Sequence, residues 1–260
     1  MHFDTDGVYT LLYTAEDSCG NETIEERTVE VVALKTTLFT DGTFIINEKS
    51  TDRDANVALH GIALIEYAPF DPNGATDIAK YIFAGQQNRP WQGQISSIKV
   101  VECGSPIQPY SLKYWFANSA IEKADFSLLD MSRVTNTEYL FSQCANLAEV
   151  TFNDTKAENL ELIDGTFYYC VALPTIDISS FKTDSVTNMN YMFYLCQQLT
   201  TIYASDDFVV PSGATSSSMF GGCDALVGGS GTTFSSSHTN GEYARIDNPP
   251  SAPGYFTAKA

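Results

Sequence analysis

Six cysteines, three histidines and 32 carboxylates are the residues of this 260-residue chain that could do chemistry. Four of the cysteines, Cys144, Cys170, Cys196 and Cys223, recur every 26 or 27 residues. No C-x-x-C pair or neighbouring histidine accompanies them, so zinc is not expected. A thiol that recurs at a fixed period reads as one column of a core, packed as a small apolar group. Stacked copies would bring such Cα atoms to about 4.8 Å, but a disulfide would also need suitably directed Cβ atoms. Cys19 and Cys103 remain, unpaired by default, with a bond between them as the alternative. His2, His60 and His238 have no metal-ligand spacing. Asp4-Thr-Asp6-Gly7 begins like a calcium loop but lacks the third acid and the distal glutamate, and reads as a turn before a strand. No metal and no cofactor is expected. There is no Gly-x-Ser-x-Gly, no phosphate-cradling glycine loop with its lysine, and no His-Glu-x-x-His. Carboxylates are so abundant that a pair at a glycosidase separation would arise by number alone. A glycan hydrolase is therefore the last alternative, and the chain reads as non-catalytic.

The period of the cysteines belongs to a larger unit. Phe116, Phe141, Phe167, Phe193 and Phe220 are spaced by 25, 26, 26 and 27 residues. Three residues after each of the last four comes the cysteine, and three further on come Leu147, Leu173, Leu199 and Leu226. Val134-Thr135-Asn136 and Val186-Thr187-Asn188 lead into two of the copies. Such self-similarity predicts an α/β repeat solenoid of about 26 residues per turn. Alternation in Leu199-Thr-Thr-Ile202-Tyr-Ala204 predicts a short strand, and these strands should stack into a parallel sheet. Apolar residues at i, i+3, i+6 and i+7 from Val186 to Phe193 predict a short helix on the other side. Leu112–Phe116 and 158–163 read as the corresponding helices of other copies.

The run from Asp177-Ile-Ser179 through Val186, Phe193, Cys196 and Leu199 resembles the repeat of BspA-like leucine-rich-repeat surface proteins. Residues 226–232, Tyr243 to Asp247 and Pro253 to Thr257 resemble that family's C-terminal closure. The resemblance covers roughly residues 98–258. Ser119 departs from it at the cysteine position of the first copy, and 158–163 departs in the second. It implies a surface adhesin or ligand binder of bacteria, with related chains in phage genomes, and no catalysis.

Ahead of the repeats, Val8–Tyr13 and Glu25–Val32 read as strands joined by Asp17-Ser-Cys-Gly-Asn21, resembling the closing hairpin of a bacterial immunoglobulin-like domain. Two strands are marginal alone, so another chain or a missing domain is expected to complete residues 1–33. Asp41-Gly42 between Thr37–Thr40 and Thr43–Ile46 is a hairpin signal. Ser50 or Thr51 would cap a short helix ending at Gly61, and Ile62–Tyr67 reads as a strand. Ile98–Val101 reads as the strand of an introductory coil. The expected division is an attachment segment at 1–33, a β-rich N-terminal cap at 34–110, the repeats at 111–227 and a C-terminal cap at 228–260.

A formal charge of −18 repels phosphate backbones and anionic headgroups, so neither nucleic acid nor membrane insertion is expected. No apolar run is long enough to span a bilayer, and Met1-His2-Phe3-Asp4 does not open a signal peptide. The sequons Asn21-Glu-Thr23 and Asn153-Asp-Thr155 matter only in a eukaryotic secretory pathway.

Strand parity selects the binding surface. With Leu147, Val150, Phe152, Leu173, Ile176, Ile178, Leu199, Ile202 and Ala204 inward, the residues between them face out in columns. Lys123, Glu149, Thr175 and Thr201 form one. Asp125, Thr151, Asp177 and Tyr203 form the next, and Ser127, Asn153, Ser179 and Ser205 the third. Short polar side chains with two aspartates and a tyrosine suit a glycan or protein on a cell surface. The expected function is extracellular adhesion from a bacterial surface, the alternative a phage virion component (fibre, tail or head decoration) mediating host attachment.

Overall fold

A computed structural model describes the backbone of residues 7–16, 22–39, 41–46, 57–69, 92–104 and 107–259, and the side chains of 41–46, 95–104 and 107–259. The fold is β-rich and repeat-like, built mostly on parallel pairing. Strand β1 (Gly7–Glu16) runs antiparallel to β2 (Glu22–Phe39), from Gly7 opposite Val31 to Glu16 opposite Glu22. The β2 strand turns through Asp41-Gly42 into β3 (Thr43–Ile46), as the sequence predicts. Gly42 takes φ +91°, and the Asp41 carboxylate accepts the Thr43 N–H at 2.9 Å. A Cβ at Gly42 would press on Lys99 and the Ser97 carbonyl, so only glycine closes this turn without strain.

Strand β4 (Val57–Pro69) pairs antiparallel with β2. The expected strand at 62–67 lies within it, but the expected helix ending at Gly61 is corrected: residues 57–61 are strand. Pairing with β2 from Phe39 opposite Val57 outweighs the capping signal at 50–51, which falls outside the described residues. So do Asp4–Asp6 of the calcium-like loop, Cys19 and the 17–21 turn.

Along the sheet from β3 through the next three strands the pairing is parallel. Strands β5 (Val100–Cys103), β6 (Lys123–Phe126) and β7 (Glu149–Phe152) follow in register, with Val100 beside Lys123 and Lys123 beside Glu149. A second parallel sheet holds β8 (Thr175–Asp177), β9 (Thr201–Ala204) and β10 (Phe256–Ala258). Successive copies stack through the rings of Phe116, Phe141, Phe167, Phe193 and Phe220, with centroids 5.6–6.1 Å apart. Beside that column runs the thiol column. Cys144, Cys170, Cys196 and Cys223 each donate Sγ–H to the carbonyl of the phenylalanine one copy earlier, at 3.1, 3.2, 3.0 and 2.9 Å. Ser119 meets Cys144 Sγ at 3.3 Å, continuing the column with a hydroxyl. These are thiols, not halves of disulfides. Burial pushes Cys170 and Cys196 well above the ordinary thiol range and Cys223 to about 12. Cys103 is likewise a thiol and is pushed to about 12, by burial and then the Asp125 charge.

The helices expected opposite the sheet are corrected. Residues 112–118 form consecutive turns, and the described residues contain three short 3-10 turns and no α-helix. The reason is in the N–H accounting. Leu112, Tyr114, Phe116 and Asn118 donate forward to Asn136, Glu138, Leu140 and Ser142, while Trp115 and Ala117 donate back three residues. An α-helix needs every interior N–H for its own carbonyls. Here alternate N–H groups cross-link the copies instead. The crossing requires positive φ twice per turn, at Tyr114 and Asn118, Tyr139 and Gln143, Gly165 and Tyr169, Tyr191 and Leu195, Ser218 and Gly222. Each non-glycine there costs about 1 kcal/mol. Stacking offsets part of it: Tyr114 lies on Tyr139 at 5.2 Å, and the Tyr139 ring covers Gly165, where a Cβ would sit 2.5 Å from it.

Under that stack lies a carboxyl pair. Asp164 is 5% exposed, and its Oδ1 has no hydrogen-bond partner among the described residues. Burial, then the Glu138 charge, pushes Asp164 up to about 6, with the Tyr139 hydroxyl opposing. Burial works against Glu138 too, but Lys113 (2.6 Å) and Asn136 (2.6 Å) hold it below the ordinary range. Because the folded value of Asp164 lies above 3.8, its favourable contribution is full below about pH 4 and lost as pH rises through 6. Asp164→Asn keeps a donor toward Glu138 without the titration. It is expected to stabilise the protein at pH 7.5 by roughly 1–2 kcal/mol, with the advantage shrinking at pH 5. Thermal unfolding at both pH values measures this; an unchanged difference would place the cost elsewhere.

Candidate functional site

The candidate site follows from one residue in the repeat. Ala148 donates its N–H to the Glu122 carbonyl at 2.8 Å, and Thr200 donates to Pro174 at 2.9 Å. The residue between them in this column is Pro174, which has no N–H. Among the described residues no ladder joins β7 to β8, and the parallel stack divides there into its two sheets. After β7 the chain leaves the sheet through Asn153, whose Oδ1 accepts from the Thr155 N–H (2.7 Å) and hydroxyl (2.6 Å). It rejoins the stack where Ala157 bridges Phe181.

The division opens a cleft of about 460 Å³ on the sheet face. Val150 and Phe152 point inward, as parity predicts, yet stay only partly buried and line the cleft with apolar surface. Polar lining comes from Ser127, Thr151, Asn153 and Asp154 on one side and Asp177, Ser179, Ser180 and Lys259 on the other. Asn153 Nδ2 donates to the Ser127 carbonyl at 2.7 Å, fixing which way its amide faces.

Two aspartates, Asp154 and Asp177, share the cleft with one lysine. Lys259, one residue beyond β10, pairs with Asp177 and donates its own N–H to the Ala204 carbonyl at 3.0 Å. The Asp177 Oδ1 accepts the Ser179 N–H at 3.0 Å. Burial opposes ionisation of Asp177, but Lys259 and Ser179 outweigh it and hold the carboxyl below its usual range. Nearby, Lys156 reaches Asp207 at 2.5 Å and the Ser179 carbonyl at 3.2 Å. Among the described residues no three His, Cys, Asp or Glu side chains converge to hold a metal.

The outward columns form within each sheet. Lys123 stands beside Glu149 and pairs with it at 2.7 Å; Asp125 stands beside Thr151, Thr175 beside Thr201, and Asp177 beside Tyr203. Of these residues the cleft gathers Thr151, Asn153 and Asp177. Lys123, Asp125, Glu149, Thr175, Thr201 and Tyr203 lie outside it. Asp125 is occupied by the Ser127 N–H at 3.0 Å, which with the Ser127 hydroxyl lowers its pKa. Lys259 sits 5.9 Å from the Tyr203 ring centre. Sequence reasoning missed Lys259, Asp154 and the apolar lining. Pro174 was the available signal, visible once aligned with Ala148 and Thr200.

No helix among the described residues is long and apolar enough to cross a membrane. No curated protein and no solved structure matches the chain. Residues 110–229, which hold the repeats, their phenylalanine and thiol columns and most of the cleft, are similar to a family described as Mycoplasma protein of unknown function, DUF285.

Proposed function

We propose that the chain is a non-catalytic binding protein, a leucine-rich-repeat solenoid of the BspA-like kind, displayed outside a bacterium and holding a cell-surface glycan or protein on its sheet face. The observation that carries this reading is the cleft between β7 and β8. Its apolar lining and short polar side chains are the composition of a small-ligand site. With Asp177 paired to Lys259, Asp154 leaves the cleft one net negative charge, which suits a hydroxyl-rich or peptide ligand more than an anion. One such contact is weak, and display in many copies raises its avidity.

The test uses a printed array of mammalian glycans together with immobilised matrix proteins. Thr151 is exposed and lines the cleft, so Thr151→Trp fills the site without entering the core. Binding to at least one probe is expected, weakened at least tenfold by Thr151→Trp with the thermal midpoint unchanged. Binding that survives the tryptophan removes the cleft as the site. A virion component is the second reading. It draws on β1, which among the described residues pairs with β2 alone, leaving a ten-residue edge for another chain or a preceding domain.

A further inference from the structure

The turn side of the repeats carries a feature that the sheet face does not explain. Tyr168 stacks on Tyr194 at 5.5 Å and 14°, and the Tyr194 ring covers Gly221, where a Cβ would come within 2.9 Å. Tyr191 stands perpendicular to both, at 85° and 87°. Tyr169 lies 6.5 Å from Tyr168. Tyr169 and Tyr191 each remain 41% exposed, and both hold positive φ, 61° and 57°. Equivalent positions in other copies carry Gly165 and Gly222 but also Tyr114, Tyr139 and Leu195, so the conformation belongs to the repeat rather than to these two residues. What sets Tyr169 and Tyr191 apart is their exposure within a cluster of four aromatic rings.

The surroundings indicate the ligand. No charged residue occurs in 165–176 or 185–205, although the chain carries 46 of them. Exposed amides of Gln143, Gln197 and Gln198 lie in the same stacked turns. Gln143 is bound to the Tyr168 carbonyl through its N–H at 2.6 Å, which places it beside Tyr169. Aromatic rings take the C–H faces of pyranose sugars, and planar amides bond neighbouring hydroxyls in pairs. A basic protein partner would be drawn instead to the acidic surface elsewhere, and an anionic one would find no cation here.

We propose that Tyr168, Tyr169, Tyr191 and Tyr194 form a second binding surface, for an uncharged polysaccharide chain, on the turns and apart from the cleft lining. The four rings belong to two successive copies, so a glycan lying along the stack would meet aromatic faces on both.

Native electrophoresis of the full chain through gels containing mixed-linkage β-glucan, galactomannan, dextran or polygalacturonate tests this. Retardation is expected in at least one of the three neutral gels and not in polygalacturonate. The double substitution Tyr169→Gly with Tyr191→Gly should weaken it at least tenfold while leaving the thermal midpoint at or above the original. Tyr169→Asn with Tyr191→Asn, which also tolerates positive φ, should do the same with a side chain retained. Retardation in none of the neutral gels, equal retardation by polygalacturonate, or retardation unaffected by both doubles overturns the proposal. So does retardation abolished by Thr151→Trp alone, which would put the glycan in the cleft; its persistence in that variant separates the two surfaces.

Discussion

Truncating Phe167 to alanine is expected to lower the unfolding free energy by about 3–5 kcal/mol. Its ring is fully buried and stacked between Phe141 at 5.9 Å and Phe193 at 5.6 Å, with Phe152 edge-on at 6.4 Å. Removing it takes a partner from both neighbours at once, and ordered turns cross-linked by backbone hydrogen bonds cannot close the gap. Urea unfolding followed by circular dichroism reads the loss directly. A loss under 1 kcal/mol would mean that the column is packing filler and that the cross-links carry the stack.

Asp247→Asn is expected to cost roughly 2–3 kcal/mol, confined to the C-terminal closure. The Asp247 Oδ1 accepts from the Thr232 hydroxyl at 2.5 Å and the Gly254 N–H at 3.2 Å; Oδ2 accepts from the N–H groups of Ser230 at 2.8 Å and Thr232 at 3.0 Å. Both oxygens face N–H donors, so an amide must turn its own N–H groups against one pair. Gly228 and Gly254 make the cradle, since a Cβ at Gly228 would collide with the Gly254 carbonyl and Asp247, and one at Gly254 with the Arg245 carbonyl. Burial opposes the charge on Asp247, but these donors outweigh it and lower its pKa. Its contribution is therefore full above the unfolded value and lost as pH falls through the folded one. The closure covers Phe220 with Tyr255 at 5.1 Å and Phe256 at 6.0 Å. Amide exchange should quicken across 228–257 while 112–200 stays protected. Uniform quickening would make the closure inseparable from the repeats.

The stack was legible because one position per copy must face the core, so Phe, Leu and Cys recur whatever joins them. The outward columns followed from strand parity alone. The expected helix failed for a physical reason: apolar spacing of three and four fits a ribbon of turns as well as a helix. Glycine at the positive-φ positions would have revealed the turns, but Tyr114, Tyr139, Tyr169, Tyr191 and Leu195 occupy them. The cleft needed Pro174 to be read as a missing donor. Lys259 could not be assigned at all, because it reaches Asp177 across 82 residues of chain and only the closure brings it there.

The missing donor at Pro174 also bears on how the array comes apart. In a one-dimensional array, stability is a sum of each unit's own folding and its coupling to its neighbours. The coupling between β7 and β8 lacks the sheet ladder that β6 and β7, or β8 and β9, have, and rests on the turn-side cross-links, the phenylalanine column, the Ala157–Phe181 bridge and the Phe152–Phe181 ring contact. Among the described strands β5 to β9, the junction that forms the cleft is the one without a ladder. A ligand that bridges Thr151 and Asp177 would supply the missing coupling, joining two cooperative blocks into one.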